Sequence, residues 1–299
     1  LNVSTGIKNT IIGGVAGDAI TTGLNNTLVG YNSGGALVGG SYNVALGYFA
    51  LANEDAHGRN VAIGWRSLQN QNAGADAYNV AIGYDSGLSI STGIRNTIMG
   101  GLAGDALTTG TRNVAIGFQA LSAEDAHGYN VAIGNSALAV QNAGADAYNV
   151  AVGYNAGAAI TTGVGNTLIG GHAGDALTTG DRSVAIGHDA LSSEDTGTRN
   201  VAVGWGTLAA LNVDGAGYNT AVGYSAGNGL TTGIKNTTTG GFAGTSLTTG
   251  IENTAIGYFA LATEDTGNYN VAIGKGALAV LNFDGNGYNT AVGYNAGTN

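Results

Sequence analysis

Cysteine and proline are both absent from this sequence, and methionine occurs once. Without cysteine there is no disulfide framework, which suits a secreted protein that matures without oxidation but fixes no compartment. Charge is scarce as well: 9% of residues are charged, against roughly 25% in an ordinary globular domain. The nine Lys and Arg are scattered along a chain of net charge −10, so the sequence offers no basic stripe to neutralise phosphates and nucleic acid is not an expected partner. The same charge disfavours an anionic membrane surface, and no apolar run approaches the ~18 residues of a membrane span, so no membrane insertion is expected. The chain begins at Leu1 without a signal peptide and ends at Asn299 partway through a repeat, and it is read as a piece of a longer array.

Glycine, by contrast, is abundant, with 55 residues, alongside 43% hydrophobic content. Low hydrophobicity and high charge are what keep a chain unfolded, and neither is present. The glycines are instead periodic. A five-residue motif of Asn, Val or Thr, any residue, an aliphatic residue or Thr, and Gly opens at Asn9, Asn26, Asn43, Asn60, Asn79, Asn96, Asn113, Asn130, Asn149, Asn166, Ser183, Asn200, Asn219, Asn236, Asn253, Asn270 and Asn289. The intervals run 17, 17, 17 and 19 residues and this set recurs four times, a higher-order period of 70. Every fourth coil carries a longer loop (71–78, 141–148, 211–218, 281–288), and the coil before it carries a Glu-Asp pair, at 54–55, 124–125, 194–195 and 264–265. Periods of this size mark a solenoid or a related array.

Within the motif Val80 and Ile82 share one face and Ala81 takes the other, the two-residue period of a strand. The repeat reads as strand, tight bend, short second strand and turn. Helix is excluded because so much glycine costs about 1 kcal/mol per residue in helix interiors. The expected fold is all-β: one parallel β-solenoid, or β-roll, over 1–299, with about seventeen coils stacked ~4.8 Å apart and a length of about 80 Å. Energy in such an array is close to additive over coils and their interfaces.

Two columns carry the candidate structural sites. The first-position asparagines Asn43, Asn60, Asn79, Asn96, Asn113, Asn130, Asn149 and Asn166 are expected to stack as an amide ladder bonded to one another and to turn backbone. The fifth-position glycines Gly47, Gly64, Gly83, Gly100, Gly117, Gly134 and Gly153 imply positive φ or close approach of the neighbouring coil. The residue before the Asn is usually Tyr or basic, as in Tyr42, Arg59, Tyr78 and Arg112, a pattern suited to cation–π stacking.

The segments NVAIGYDSG, NVAIGNSAL, NTAIGYFAL and NTAVGYNAG resemble the head repeats of YadA-like trimeric autotransporter adhesins and, equally, repeats in the shafts of bacteriophage tail fibres. The likeness spans essentially the whole chain. It implies a left-handed parallel β-roll, usually three chains side by side with apolar faces toward a threefold axis, and brings no catalytic residues. Coils in the adhesin heads are typically shorter than the 17 and 19 residues found here.

Sharper chemistry finds little support. His57, His127, His172 and His188 accompany no nucleophile–base motif, so they are read as surface turn residues and no enzyme is expected. The Glu-Asp pairs and Asp18, Asp105 and Asp175 lack the nine-residue spacing of calcium-binding rolls and are read as solvated turns, with no metal and no cofactor. Thr-Thr-Gly recurs at 21–23, 108–110 and 161–163 without forming an unbroken column, which argues against an ice-binding solenoid. Exposed aromatics after the constant Gly, such as Tyr48, Trp65 and Trp205, either stack on one another or present a cell-surface glycan or receptor site. The expected role is a shaft or stalk of an extracellular fibre, on a virion or bacterial surface, that projects a receptor-binding tip as a homo-oligomer (a trimer); the rival is a self-assembling extracellular filament or sheath.

Overall fold

The computed structural model describes residues 5–298. No helix occurs among them. One three-residue strand appears in each repeat, seventeen in all, and the chain is an all-β parallel solenoid. It divides into two compact units, Leu1–Tyr148 and Asn149–Asn299, with the boundary directly after the second long loop.

The first unit holds β1 (Thr10–Ile12), β2 (Thr27–Val29), β3 (Val44–Leu46), β4 (Val61–Ile63), β5 (Val80–Ile82), β6 (Thr97–Met99), β7 (Val114–Ile116) and β8 (Val131–Ile133). Each pairs in parallel with the next in strict register, as in Val61↔Val80 and Val80↔Thr97. The second unit repeats the arrangement from β9 (Val150–Val152) through β10 (Thr167–Ile169), β11 (Val184–Ile186), β12 (Val201–Val203), β13 (Thr220–Val222), β14 (Thr237–Thr239), β15 (Thr254–Ile256) and β16 (Val271–Ile273) to β17 (Thr290–Val292).

The short strand and tight bend of each coil are present, but the second strand is not. That half of the coil is built from turns, because left-handed residues recur there at the seventh position (Asp85, φ 52°; Leu102, φ 57°) and the ninth (Leu68, φ 48°; Gly87, φ 58°). Two such corners so close together leave no extended stretch to form a strand. The backbone still pairs coil to coil around the turns: Gly87 N–H donates to Ala103 O (3.0 Å), Leu102 N–H to Tyr84 O (2.9 Å) and Arg95 N–H to Ala77 O (2.7 Å).

The strand alternation also settles what is inside. The central alanines Ala62, Ala81, Ala115 and Ala185 are fully buried, while the flanking Val and Ile face outward and stay partly exposed. The interior is narrow and its volume is shared between positions three and nine. Where position three is Ile98 or Leu168, position nine is Gly104 or Gly174; where position three is Ala115 or Ala185, position nine is Leu121 or Leu191. A Cβ on Gly174 would lie 2.8 Å from Leu168 Cδ2, so large residues at both positions would overpack the coil.

The constant fifth glycine meets both demands at once. Gly83 has φ +143°, and a Cβ there would lie 2.5 Å from Gly100 O in the next coil. No L-residue combines that φ with that approach. Replacing Gly83 with Ala is therefore expected to destabilise the first unit by about 3 kcal/mol or more, measured as a lower denaturation midpoint; an unchanged midpoint would show that the neighbouring coil yields freely.

Candidate functional site

The asparagine column is a relay between side chain and backbone. The backbone N–H groups of Asn60, Asn79, Asn96, Asn113 and Asn130 each donate to Oδ1 of the preceding Asn at 2.8–3.1 Å. Asn43 does the same to Asn26 (2.9 Å), and Asn166 to Asn149 (2.8 Å). The Nδ2 groups reach across the coil to a turn carbonyl: Asn79 to Gly93, Asn96 to Gly110, Asn149 to Gly163 and Asn166 to Gly180, at 2.7–2.9 Å. Each amide thus fastens a coil to its neighbour and closes the coil on itself.

Two departures show what the amide contributes. At Ser183 the hydroxyl still accepts Asn200 N–H, but at 3.3 Å, and it has no second arm to cross the coil. In the 19-residue coils, Asn60, Asn200 and Asn270 keep a buried Nδ2 with no hydrogen-bond partner. There the fifteenth residue lies in the enlarged loop; around Gly74 the space within 4 Å of a built Cβ is empty. The loop takes away the carbonyl that the amide uses elsewhere.

The same loop explains the Glu-Asp pairs, and here the solvated-turn reading is corrected. Glu54, Glu124, Glu194 and Glu264 are fully buried. In repeat register each occupies position twelve, where other coils place Ile90, Leu107, Ile160 or Leu177 in the core. Asp18, Asp55 and Asp125 are exposed, and Asp105, Asp175, Asp195 and Asp265 are partly exposed. No Lys or Arg pairs with these glutamates; their partners are backbone N–H groups, joined at Glu124 by His127 Nδ1 (3.3 Å) and Gln141 Nε2 (3.4 Å). Glu194 Oε1 accepts Gly197 N–H (2.8 Å) and Val213 N–H (3.2 Å), and Glu264 accepts Gly267 N–H (2.8 Å) and Phe283 N–H (3.3 Å to Oε2). In the first unit Glu54 takes His57 N–H (3.2 Å) and Ala73 N–H (3.4 Å). The enlarged loop pulls its backbone out of the coil-to-coil ladder, and an unmet buried N–H costs about 1–3 kcal/mol. The carboxylate below supplies the missing acceptors. Burial pushes the Glu54 carboxyl above its ordinary value, and that of Glu194 up to about 7, the backbone hydrogen bonds offsetting only part of the effect.

The signal for this was in the sequence: aligned on the Asn, Glu54 falls in a column of Ile and Leu.

On the outer wall the aromatic residues after the constant glycine stack on each other. Trp205 lies nearly parallel to Tyr224 (5.1 Å, 9°) and to His188 (6.5 Å, 10°), and Tyr48 sits between Tyr31 (5.4 Å, 16°) and Trp65 (4.1 Å, 13°). Ring faces used in this way leave mainly edges to a glycan. His188 and His172 belong to this wall, His172 ring-to-edge with Tyr154 (5.2 Å). Register also gathers the scattered cations: seven of the nine Lys and Arg precede the first-position residue. Arg59 lies between Tyr42 (5.3 Å) and Tyr78 (5.5 Å) and pairs with Asp76 (3.1 Å), while Lys235 pairs with Glu252 (3.0 Å). Tyrosines and carboxylates interrupt this column, so it is not a continuous phosphate-binding stripe.

No protein-family model matches the chain, and no curated protein matches it either.

Two outcomes follow from the interior. Ser183→Asn restores the second arm of the amide and is expected to raise stability by about 1 kcal/mol, read as a higher denaturation midpoint; a lower one would mean the site cannot hold the larger side chain. Glu194 has a folded pKa of about 7 above its ordinary 4.5. Its contribution is present below pH ~4.5 and lost as pH rises through 7. The second unit should therefore lose stability over that window, on the order of 3 kcal/mol, and Glu194→Gln should flatten the profile; a variant profile that falls as steeply as the original would remove Glu194 as the cause.

Proposed function

We propose that the chain is a length of shaft from an extracellular fibre, a phage tail fibre or a bacterial surface adhesin, that holds a receptor-binding tip away from a surface. The observation that carries this reading is the outward face of the strands. No strand in either unit contains a charged residue. Their outer positions form two columns of Val, Thr, Ile, Leu and Met that remain partly exposed: Leu46 at 45%, Met99 at 39%, Ile169 at 38%. A solvated sheet face alternates toward polar and charged residues, and an uncharged face of exposed aliphatic residues interspersed with threonine supports an association surface. The resemblance of the repeats to trimeric adhesin heads and tail-fibre shafts supplies the occupant: two further copies packed by the same face.

The buried interior supports a mechanical role. Most of its polar groups are spent on coil-to-coil and loop backbone bonds, and the paired histidine and carboxylate groups lie in the same turns rather than beside a nucleophile. Such a structure gives length and stiffness through many equal, additive interfaces.

Light scattering on the purified chain is expected to give about three times its 29.4 kDa mass. Ile63→Lys with Ile116→Lys, on the outward columns of the first unit, should yield a folded monomer with unchanged far-ultraviolet circular dichroism. A monomeric parent chain would overturn the shaft reading. Open-ended species that lengthen with concentration would favour a self-assembling filament instead.

A further inference from the structure

Two turns of the first unit bring together donors that the loop-capping role of the glutamates does not require. The carboxylates of Glu54 and Asp55 and the His57 imidazole offer ligand atoms within 4.8 Å of one another, and Glu124, Asp125 and His127 repeat the set seventy residues later. We propose that these two turns are divalent transition-metal sites, each taking an ion of the Zn2+ class through one imidazole nitrogen and the neighbouring carboxylates.

The His57 nitrogen is the first support. Nδ1 faces Glu54 Oε1 at 3.9 Å, and the atom is shielded from solvent yet has no hydrogen-bond partner. In the second copy His127 Nδ1 lies 3.3 Å from Glu124 Oε1, within hydrogen-bond reach, so the unpartnered nitrogen belongs to the His57 turn. Donors bound to one tetrahedral Zn2+ at about 2.0–2.1 Å sit about 3.4 Å apart, so one pair already has that separation and the other needs a small closure.

The second support is electrostatic. Glu54 is fully buried and meets no Lys or Arg, and a buried anion without a counter-charge is costly. An ion held at its outer oxygen would compensate it, while the bond from Ala73 N–H to the other oxygen (3.4 Å) keeps the carboxylate oriented. Asp55 is exposed and His57 partly so, which leaves room for water to complete the coordination. Imidazole among the donors favours a transition metal over Ca2+, which takes six to eight oxygens.

The second unit contains its own control. Glu194 and Glu264 keep the buried carboxylate and its loop bonds, but Gly197 and Gly267 stand where the histidines are. The second unit keeps the backbone N–H bond to the glutamate with glycine at that position, so the imidazole is separable from the structural role of the glutamate.

The whole chain is to be titrated with ZnCl2 at pH 7.5 by calorimetry and equilibrium dialysis. Two Zn2+ per chain are expected, removable by chelator and accompanied by a higher thermal midpoint. His57→Gly with His127→Gly, which copy Gly197 and Gly267, should fold with unchanged circular dichroism and bind at least about tenfold more weakly. His172→Phe with His188→Tyr, which copy Phe242 and Tyr258 at the equivalent positions, should keep both ions. No uptake by the parent chain, uptake that survives loss of His57 and His127, or uptake abolished by the His172 and His188 changes would each overturn the proposal.

Discussion

Each coil must lie on the next with its backbone groups paired, and the rest of the structure depends on that requirement. Only three residues per coil are strand, yet the carbonyls and N–H groups of the turns also find partners one coil away. Stacking at roughly 4.8 Å leaves no slack for a side chain where two backbones meet, hence the invariant fifth glycine. It also forces equivalent residues into columns, so every position is judged by its neighbours above and below. The asparagine column satisfies this twice over, because Oδ1 serves the next coil and Nδ2 serves its own.

An enlarged loop violates the rule, and its consequences run inward. Two extra residues lift part of the 19-residue coil off the ladder, leaving N–H groups such as those of Val213 and Phe283 without a backbone acceptor. The repair is a carboxylate placed in the core column of the preceding coil. A glutamate there is costly to bury, as the raised pKa of Glu194 shows, but leaving several backbone donors unmet in the same volume would cost more.

Much of this was legible before the structure. The period gave the coil count, the solenoid class and the register, since residues that recur at fixed spacing must stack. Alternation around Ala81 identified the strand but not its inner face. Val and Ile are the conventional core residues, yet in a coil this narrow Ala fits inside and the β-branched residues go out. The missing second strand was hidden because Leu68 and Asp85 give no local sign of a left-handed corner; the conformation is imposed by the coil. Glu54 was misread because acidic residues beside a glycine-rich turn are ordinarily solvated, and only column-wise alignment with Ile90 and Leu107 exposes its place in the core. The cations show the converse: scattered in sequence, seven of the nine share one coil position within the two units.

The four blocks separate structure from function in a way a single site cannot. Every block keeps the buried glutamate and the long loop, so that pair belongs to the coil geometry. Histidine accompanies it in the first unit, and glycine in the second, with the glutamate bonded to backbone N–H groups in both. Because coil energies are nearly additive, a block can gain or lose such a group without disturbing distant coils. The outward strand face differs in kind. It gains area with every coil added and contains no charge in any of the seventeen strands, which is why the proposed lateral association rests on that face rather than on a single local site.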